Sequence, residues 1–397
     1  MEKLLLTTTA LTLVATSAFA DVNIGNPMAL TGPIPDLVAP IAAAVDLAAQ
    51  DINAQGGMFA DGEAFNIIRA DSACDPTAAV DAVTRLINLN NVSAIVGPIC
   101  SGAAIASAQS VSIPAGVVTL TISATAPDIS EMENGTDLVF RTAASDAYQG
   151  VALANLAIEL GLTDIAISYA NDDYNVGIAA VFAEAYTAAG GTITANEAHE
   201  PGKASYRSEV ATLGATSDNL ALFAYYGSGG ITLLRNALET GAFENFLGAD
   251  GMLSDEVIEQ IGAENMGNMT FTTAAPDEST AAYAAWAALA EAAGIPASDP
   301  FVANGYDATF MMALAIESAG SADRDGIAAA LRDIASAPGE VILPGEWEKA
   351  KEILAAGGDI NYEGGAGSQD FDANGDVPAS FRRSVVVDGA WVGEFIR

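Results

Sequence analysis

A chain of 397 residues with 51 Asp plus Glu against 14 Lys plus Arg carries a net charge of −37. A field of that sign repels nucleic acid and anionic membrane surfaces, which argues against both as partners; it favours solubility and suits a salty medium that screens the repulsion. Two cysteines are too few for a Cys-rich metal site.

Residues 1–20 have the layout of a secretion signal: a basic start at Lys3, an apolar run from Leu4 to Ala15, and the small-residue site Ala18-Phe19-Ala20 before Asp21. The run is too short to span a bilayer, which needs about 20 apolar residues. No cysteine follows the cleavage site, so no Cys-acylated lipid anchor is indicated. Removal of the signal leaves about 377 residues, enough for two lobes. No later segment is expected to have the length and purity of a transmembrane helix.

From Asp21 onward, short apolar runs alternate with amphipathic segments. Strands are predicted at Val22–Leu30, Phe65–Ala70, Ser93–Val96 and Val117–Ile122, with helices at Ile41–Asn53, Pro76–Leu89 and Ala103–Val111 between them. Ile41, Ala44, Val45, Ala48 and Ile52 share one helical face, and Gly56-Gly57 stops that helix. The pattern restarts after Phe140. Helices at Ser145–Leu160, Val176–Ala189, Tyr206–Leu213, Ile231–Glu239 and Ser254–Ile261 alternate with strands at Ile165–Tyr169, Thr192–Ala195, Leu220–Tyr225, Phe246–Gly248 and Met269–Thr273. Three helices follow, Thr280–Ala293, Phe301–Ser318 and Arg324–Ala335. A hairpin, Ser384–Ile396, turns at Asp388-Gly389. Strands separated by helices of 10–15 residues imply parallel βαβ units, hence two Rossmann-like lobes with parallel-rich sheets. Ligands of such sheets bind beyond the carboxyl ends of the strands.

Several chemistries lack their motifs. There is one histidine, His199, expected to be an ordinary surface or interlobe residue, and no G-x-S-x-G to pair it with. No P-loop appears, nor a G-x-G-x-x-G at a strand-to-helix turn. Asp370 to Asp376 resembles the start of a calcium loop, but Phe381 stands where the bidentate Glu belongs, so a polar turn is expected and no metal. In an oxidising compartment the even cysteine count favours a Cys74–Cys100 disulfide; two buried free thiols are the alternative.

Three post-strand segments are small, polar and rich in backbone donors: Gly97 to Gly102, Thr121 to Pro127, and Gly248 to Gly251. Hydroxyls and amides at a strand-to-helix turn suit a carboxylate, and an acidic group across the cleft, such as Asp250, suits a cation. Each segment alone is an ordinary capped helix start; together they describe a receptor for a zwitterion.

Here the sequence resembles the periplasmic leucine/isoleucine/valine-binding proteins, the receptors of branched-chain amino-acid ABC transporters. The likeness covers nearly all of the chain after residue 20. It rests on Ala29–Pro33 (ALTGP), Asp51–Gly57 (DINAQGG), Asp71–Pro76 (DSACDP), Gly97–Gly102 (GPICSG), Ser123–Pro127 (SATAP), Phe140–Gly150 (FRTAASDAYQG), Asp172–Gly177 (DDYNVG) and Phe371–Val377 (FDANGDV). The cysteines fall where that family has its disulfide. The resemblance implies that Ser101 and the Thr125 backbone hold a ligand carboxylate. It implies that the Ser123 carbonyl, the Thr125 hydroxyl and Asp250 hold an ammonium, with Cys100 and Ala124 in the same binding segments. Tyr226 would close from the second lobe, Tyr174 would wall the pocket, and Asp146 would sit where the chain crosses between lobes. Phe301 is assigned equally to the ligand side chain and to core packing.

Three departures stand out. Leu37 lies near a position that is often aromatic, Asp250 is one methylene shorter than the usual Glu, and residues 337–367 form a longer stretch. The expected organisation is a first lobe of 21–142 plus 273–378 and a second of 143–272 plus 379–397. Three crossings, near 142, 272 and 378, flank an interlobe cleft. The expected function is hinge-closing capture of a small amino acid, branched-chain or other aliphatic, in the periplasm, and its delivery to an inner-membrane permease. The binder would act as a monomer without cofactor or catalysis. An amide, urea-like or aromatic carboxylate ligand is the alternative, and a secreted enzyme the second.

Overall fold

The computed structural model of the protein describes residues 21–132 and 137–396; the expected signal segment, 1–20, lies outside the described residues. Val22–Met28 (β1), Phe65–Asp71 (β2), Ala94–Val96 (β3), Thr119–Thr121 (β4) and Val139–Arg141 (β5) form one sheet in the order β2-β1-β3-β4-β5, every pairing parallel. β3, β4 and β5 are buried at all positions, as a sheet covered on both faces requires. β5 is an element the sequence pattern does not predict. It is 3 residues long and ends in Arg141, so it never makes an apolar run.

The helix Pro35–Ala54 starts well before the expected Ile41, because Pro35 occupies the first turn, where a missing N–H costs nothing. It is long and apolar enough to cross a membrane by length and composition, contrary to the sequence expectation. Its buried face, including Ile41, Val45, Ala48 and Ile52, packs instead on the helix Val302–Ala319. It also carries Asp46, paired with Arg69 at 2.8 Å, and Asp51, which accepts from Tyr306 at 2.9 Å.

The second sheet holds Asp164–Ala170 (β6), Thr192–His199 (β7), Asn219–Phe223 (β8), Asn245–Ala249 (β9) and Met269–Ala274 (β10). Glu340–Ile342 (β11), Ile360–Gly364 (β12) and Gly367–Ser368 (β13) make a separate small sheet, while Phe381–Val387 (β14) and Ala390–Ile396 (β15) return to the second. Its order is β15-β14-β10-β9-β8-β6-β7. The parallel part, β7-β6-β8-β9-β10, repeats the order of the first sheet, so this is a two-lobed α/β protein with two doubly wound sheets. In each, the strand order reverses beside the first strand, opening a crevice at the carboxyl ends. The closing hairpin is antiparallel and turns at Asp388 and Gly389, both at positive φ as the sequence predicts. The chain leaves the first sheet after Arg141, leaves the second after Ala274, and re-enters it at Phe381.

Residues 337–367, left without structure by the sequence pattern, hold β11, β12 and the helix Trp347–Ala355. Two- to five-residue strands beside glycines give no usable period. What fixes the stretch is side-chain anchoring. Trp347 donates its indole N–H to the Gly57 carbonyl at 3.1 Å, and Lys351 donates to the carbonyls of Gly57 and Phe59 at 2.8 Å each. Gly57 is left-handed (φ 64), and a Cβ there would lie 2.6 Å from the Glu63 carbonyl oxygen, so glycine is required. The fully buried Asp307 accepts from the Tyr362 hydroxyl at 2.7 Å and from the amides of Gly365 and Ala366 at 3.0 and 2.7 Å.

Cys74 and Cys100 form a disulfide, with Cα atoms 5.4 Å apart. It ties the loop after β2 to the segment after β3. Closing 26 residues contributes about 3–4 kcal/mol in the chain-entropy model.

Candidate functional site

The site is assembled where strands end. Ser101 opens the helix after β3, and Thr125 stands in the turn after β4. The Ser101 hydroxyl oxygen accepts from the amides of Thr125 and Ala126 at 3.2 and 3.1 Å, which leaves its own proton free to donate. Behind that turn lies Arg141, fully buried at the end of β5. Its Nη1 donates to the carbonyls of Thr125 and Ala126, both at 3.0 Å, its Nη2 to the Ser130 hydroxyl, and its Nε to Asp376 at 2.6 Å. The other Asp376 oxygen accepts from Ser130 at 2.7 Å. The segment Phe371–Val377 therefore works as a brace. Its Gly375 carbonyl accepts from the Arg141 amide at 3.1 Å, and Asp372 folds it by accepting from the amides of Asn374 and Asp376 at 2.7 and 3.1 Å. Ser123 donates to the Ile99 carbonyl at 3.1 Å, Ala124 is buried beside it, and Cys100 precedes Ser101 with its sulfur in the disulfide.

Helix starts bring in the other half. Asp146 opens the helix Asp146–Glu159, its amide donating to the Thr125 carbonyl at 2.9 Å while its carboxylate accepts from the Thr125 hydroxyl at 2.9 Å. Gln149, one turn further on the same face, donates its Nε2 to the Thr272 carbonyl at 3.0 Å. Asp172 caps the next helix, Asp173–Ala188, accepting from the Asn175 amide at 3.1 Å. That cap positions Tyr174, whose hydroxyl donates to Asp250 and whose ring stacks on Tyr225 with centroids 5.2 Å apart. Asp250 follows β9 directly.

Asp146 and Asp250 are buried, at 0% and 4% exposure. Burial pushes both carboxyls up. For Asp146 the charge of Asp250 adds to the rise, with the Thr125 hydroxyl and Arg141 opposing it. Asp250 reaches about 6, burial outweighing the Tyr174 hydroxyl and the nearby Gly251 and Gln149 amides, which favour its charged form. Burial also holds Tyr174 and Tyr225 well above 10, so both are neutral donors. One oxygen of each group, Asp146 Oδ1, Asp250 Oδ2 and Gln149 Oε1, has no hydrogen-bond partner among the described residues. Buried acceptors of this kind demand a donor. A positively charged, hydrogen-bonding group fits them; an anion does not.

The lobes also touch directly. The Tyr226 hydroxyl accepts from the Asp36 amide at 3.2 Å, and the Gly227 amide donates to the Pro33 carbonyl at 3.1 Å. Tyr226, expected on a ligand carboxylate, is thus engaged with first-lobe backbone. A Cβ on Gly227 would lie 2.3 Å from the Pro33 oxygen. Leu37 lines a cavity of about 790 Å³ between Pro35–Pro40 and the Leu253–Gln260 and Trp391 region. Phe301, buried at φ 63, lines a small cavity of about 30 Å³ with Thr142, Ala275 and Pro378, beside the segments that join the sheets. His199 is not at the surface: it is 2% exposed at the end of β7, its Nδ1 2.9 Å from the Ser168 hydroxyl.

Hydrogen bonds link Ser101, Thr125 and Asp146 in one group and Tyr174 and Asp250 in another, with the charge of Asp250 within range of Asp146; Phe301 is tied instead to the joining segments. Sequence reasoning missed Gln149, Arg141, Tyr225 and Gly227. For Gln149 a signal existed, the three-residue spacing from Asp146 that puts both on one helix face. For Arg141 and Gly227 nothing local carried one, because Asp376, the ion-pair partner of Arg141, and Pro33, the partner of Gly227, each lie more than 190 residues away.

Residues 21–351 match the Periplasmic binding protein family, and the chain belongs to it, among the Leu/Ile/Val-binding proteins of branched-chain amino-acid ABC transporters. It is 31% identical over 336 residues to Leu/Ile/Val-binding protein BraC3 of Rhizobium johnstonii, covering 83% of this chain and 89% of that one. The crystal structure of a leucine binding protein from Thermotoga maritima is similar with a TM-score of 0.79 and 25% identity over 94% of this chain and 97% of that one. A solute binding protein from R. palustris in complex with benzoate shares the fold, with a TM-score of 0.75 at 18% identity over 94% and 95% of the two chains.

His199 is neutral in the fold, its pKa lowered by burial to about 4 from 6.5. The unfolded chain takes up that proton first, so this group's stability is present above pH 6.5 and is lost as pH falls towards 4, about 3 kcal/mol in all. The raised carboxyls act with the opposite sign, so the comparison is between proteins: in urea titrations at pH 6.5 and pH 4.5, His199→Asn is expected to lose less stability than the wild type. Equal losses would assign the pH dependence elsewhere.

Proposed function

We propose that this chain is the substrate-binding protein of an ABC importer, and that it captures a small amino acid, branched-chain or other aliphatic, by closing two lobes upon it. The observation that carries this is the pair of buried carboxylates, Asp146 and Asp250, each with an unpartnered oxygen, within reach of the Ser101 and Thr125 turn. The ammonium of the ligand goes to the carboxylates, and its carboxylate goes to the Ser101 hydroxyl and the donors of the 123–126 turn. Low dielectric strengthens each of these contacts once water is excluded.

The lobes are residues 21–142 with 273–378, and 143–272 with 379–397. The joints lie where the chain leaves the first sheet after Arg141, leaves the second after Ala274 and re-enters it at Phe381. Rotation about these joints is hinge closure, and the Tyr226–Asp36 and Gly227–Pro33 hydrogen bonds are made in the closed form. The protein acts as a monomer in the periplasm after loss of residues 1–20 and presents its closed form to an inner-membrane permease. It binds without turnover. The name of its Rhizobium relative supports leucine, isoleucine and valine as the first ligands to test. Benzoate, bound by the R. palustris neighbour, has no ammonium and would leave the two buried carboxylates without a cation, an unfavourable arrangement.

Isothermal titration calorimetry with the twenty amino acids, acetamide, urea and benzoate checks this. Aliphatic amino acids are expected to bind, and Asp250→Asn to weaken them about 10- to 150-fold, the loss of a charged hydrogen bond of about 1.5–3 kcal/mol. Binding of benzoate or urea alone would replace the amino-acid reading. Gly227→Ala tests closure: its Cβ collides only when the lobes meet, and its φ is not left-handed. The variant is expected to keep wild-type far-ultraviolet circular dichroism and to lose about tenfold or more in affinity, the scale of an overpacked contact of 1–3 kcal/mol. Unchanged affinity would mean that binding does not bring Pro33 against Gly227.

A further inference from the structure

The geometry points to Gln149 as the third acceptor of a three-point seat for a primary ammonium, making the site selective for primary over secondary amines. This rests on the amino-acid reading above and goes further in naming which amines the seat takes and which residue decides.

The seat consists of three buried oxygens without partners among the described residues: Asp146 Oδ1, Gln149 Oε1 and Asp250 Oδ2. Gln149 is 0% exposed, like Asp146, and Asp250 is 4% exposed. Asp146 and Gln149 share one face of the first turn of their helix. Asp250 lies close enough to Asp146 to raise its pKa by repulsion, and close enough to Gln149 for the amide to favour its charged form. The orientation of the Gln149 amide is not arbitrary. Its Nε2 donates to the Thr272 carbonyl at 3.0 Å, and turning the amide over would set Oε1 against that carbonyl. Oε1 is therefore the end left over, and it can only accept.

An R–NH₃⁺ group has three N–H donors and no acceptor. Three buried acceptors match that count. A secondary ammonium, as in proline or an N-methyl amino acid, has two. Its two donors go to the carboxylates, because charge-assisted bonds are the stronger ones, and its carbon substituent then faces the neutral Gln149 oxygen. A buried acceptor left unpaired against carbon is costly, which is how a site built to hydrogen-bond a group rejects the analogue lacking it.

The test is calorimetric titration of the full chain without residues 1–20, wild type and Gln149→Met, with leucine and N-methyl-leucine. Wild type is expected to bind leucine at least tenfold more tightly than N-methyl-leucine. Gln149→Met supplies an apolar wall in place of the oxygen, so leucine affinity falls about tenfold while N-methyl-leucine affinity holds or rises, shrinking the ratio. A structural defect would lower both together and leave the ratio unchanged; that outcome overturns the assignment. If Gln149→Met does not fold, the wild-type ratio decides, and equal binding of the two ligands overturns it. If no primary amino acid binds the wild type at all, the amino-acid reading itself falls.

Discussion

Two carboxylates buried within range of each other's charge repel, and neither has a full set of hydrogen bonds. Asp146 and Asp250 stand in that relation, Asp146 at the helix start reached just after the chain leaves the first sheet and Asp250 directly after β9 of the second. Such a pair persists in a fold only if a counter-charge arrives or a proton is retained. Arg141 is too fully committed to serve: its guanidinium is divided among Asp376, Ser130 and two carbonyls of the 125–126 turn. The remaining attraction is for a cation from outside, the part the proposed function gives to the ligand ammonium.

The rest of the architecture holds those charges in place. Repetition of one strand order in both sheets puts Ser101, Thr125, Tyr174 and Asp250 at strand ends that face one another. Arg141 couples the turn at Thr125 and Ala126 to Asp376, and Asp376 lies just before the chain returns to the second sheet. A buried ion pair is weak support for stability, but losing one partner of it is expensive. The 123–126 turn and the segment just before β14 are therefore fixed relative to each other. Gly227 and Pro33 meet at a distance that only glycine permits.

The repeated alternation of apolar runs and amphipathic segments exposed both sheets to sequence reasoning, because strands buried on both faces must be apolar throughout. Asp250 was visible as an acidic residue directly after a strand, and Ser101 and Thr125 as hydroxyls in the same position on the other lobe. β5 was hidden by its length and by Arg141 at its end, and the 337–367 stretch by strands too short to show a period. Tyr226 illustrates a different limit. Its place after β8 was legible, but its partner, the Asp36 amide, is 190 residues away, and no local pattern encodes that pairing. Long-range hydrogen bonds are properties of the assembled fold, and they account for most of what the sequence left unread.

The central claim, that two buried carboxylates await a cation, has a direct test in proton linkage. Binding of an ammonium lowers the pKa of Asp250, which burial holds at about 6 in this structure, so protons leave as the ligand enters. Calorimetry of leucine binding near pH 6, in buffers of different ionisation enthalpy, counts them. The account requires net proton release and an affinity that falls as pH drops from 7 to 5. Proton uptake, or an affinity indifferent to pH over that range, would contradict it.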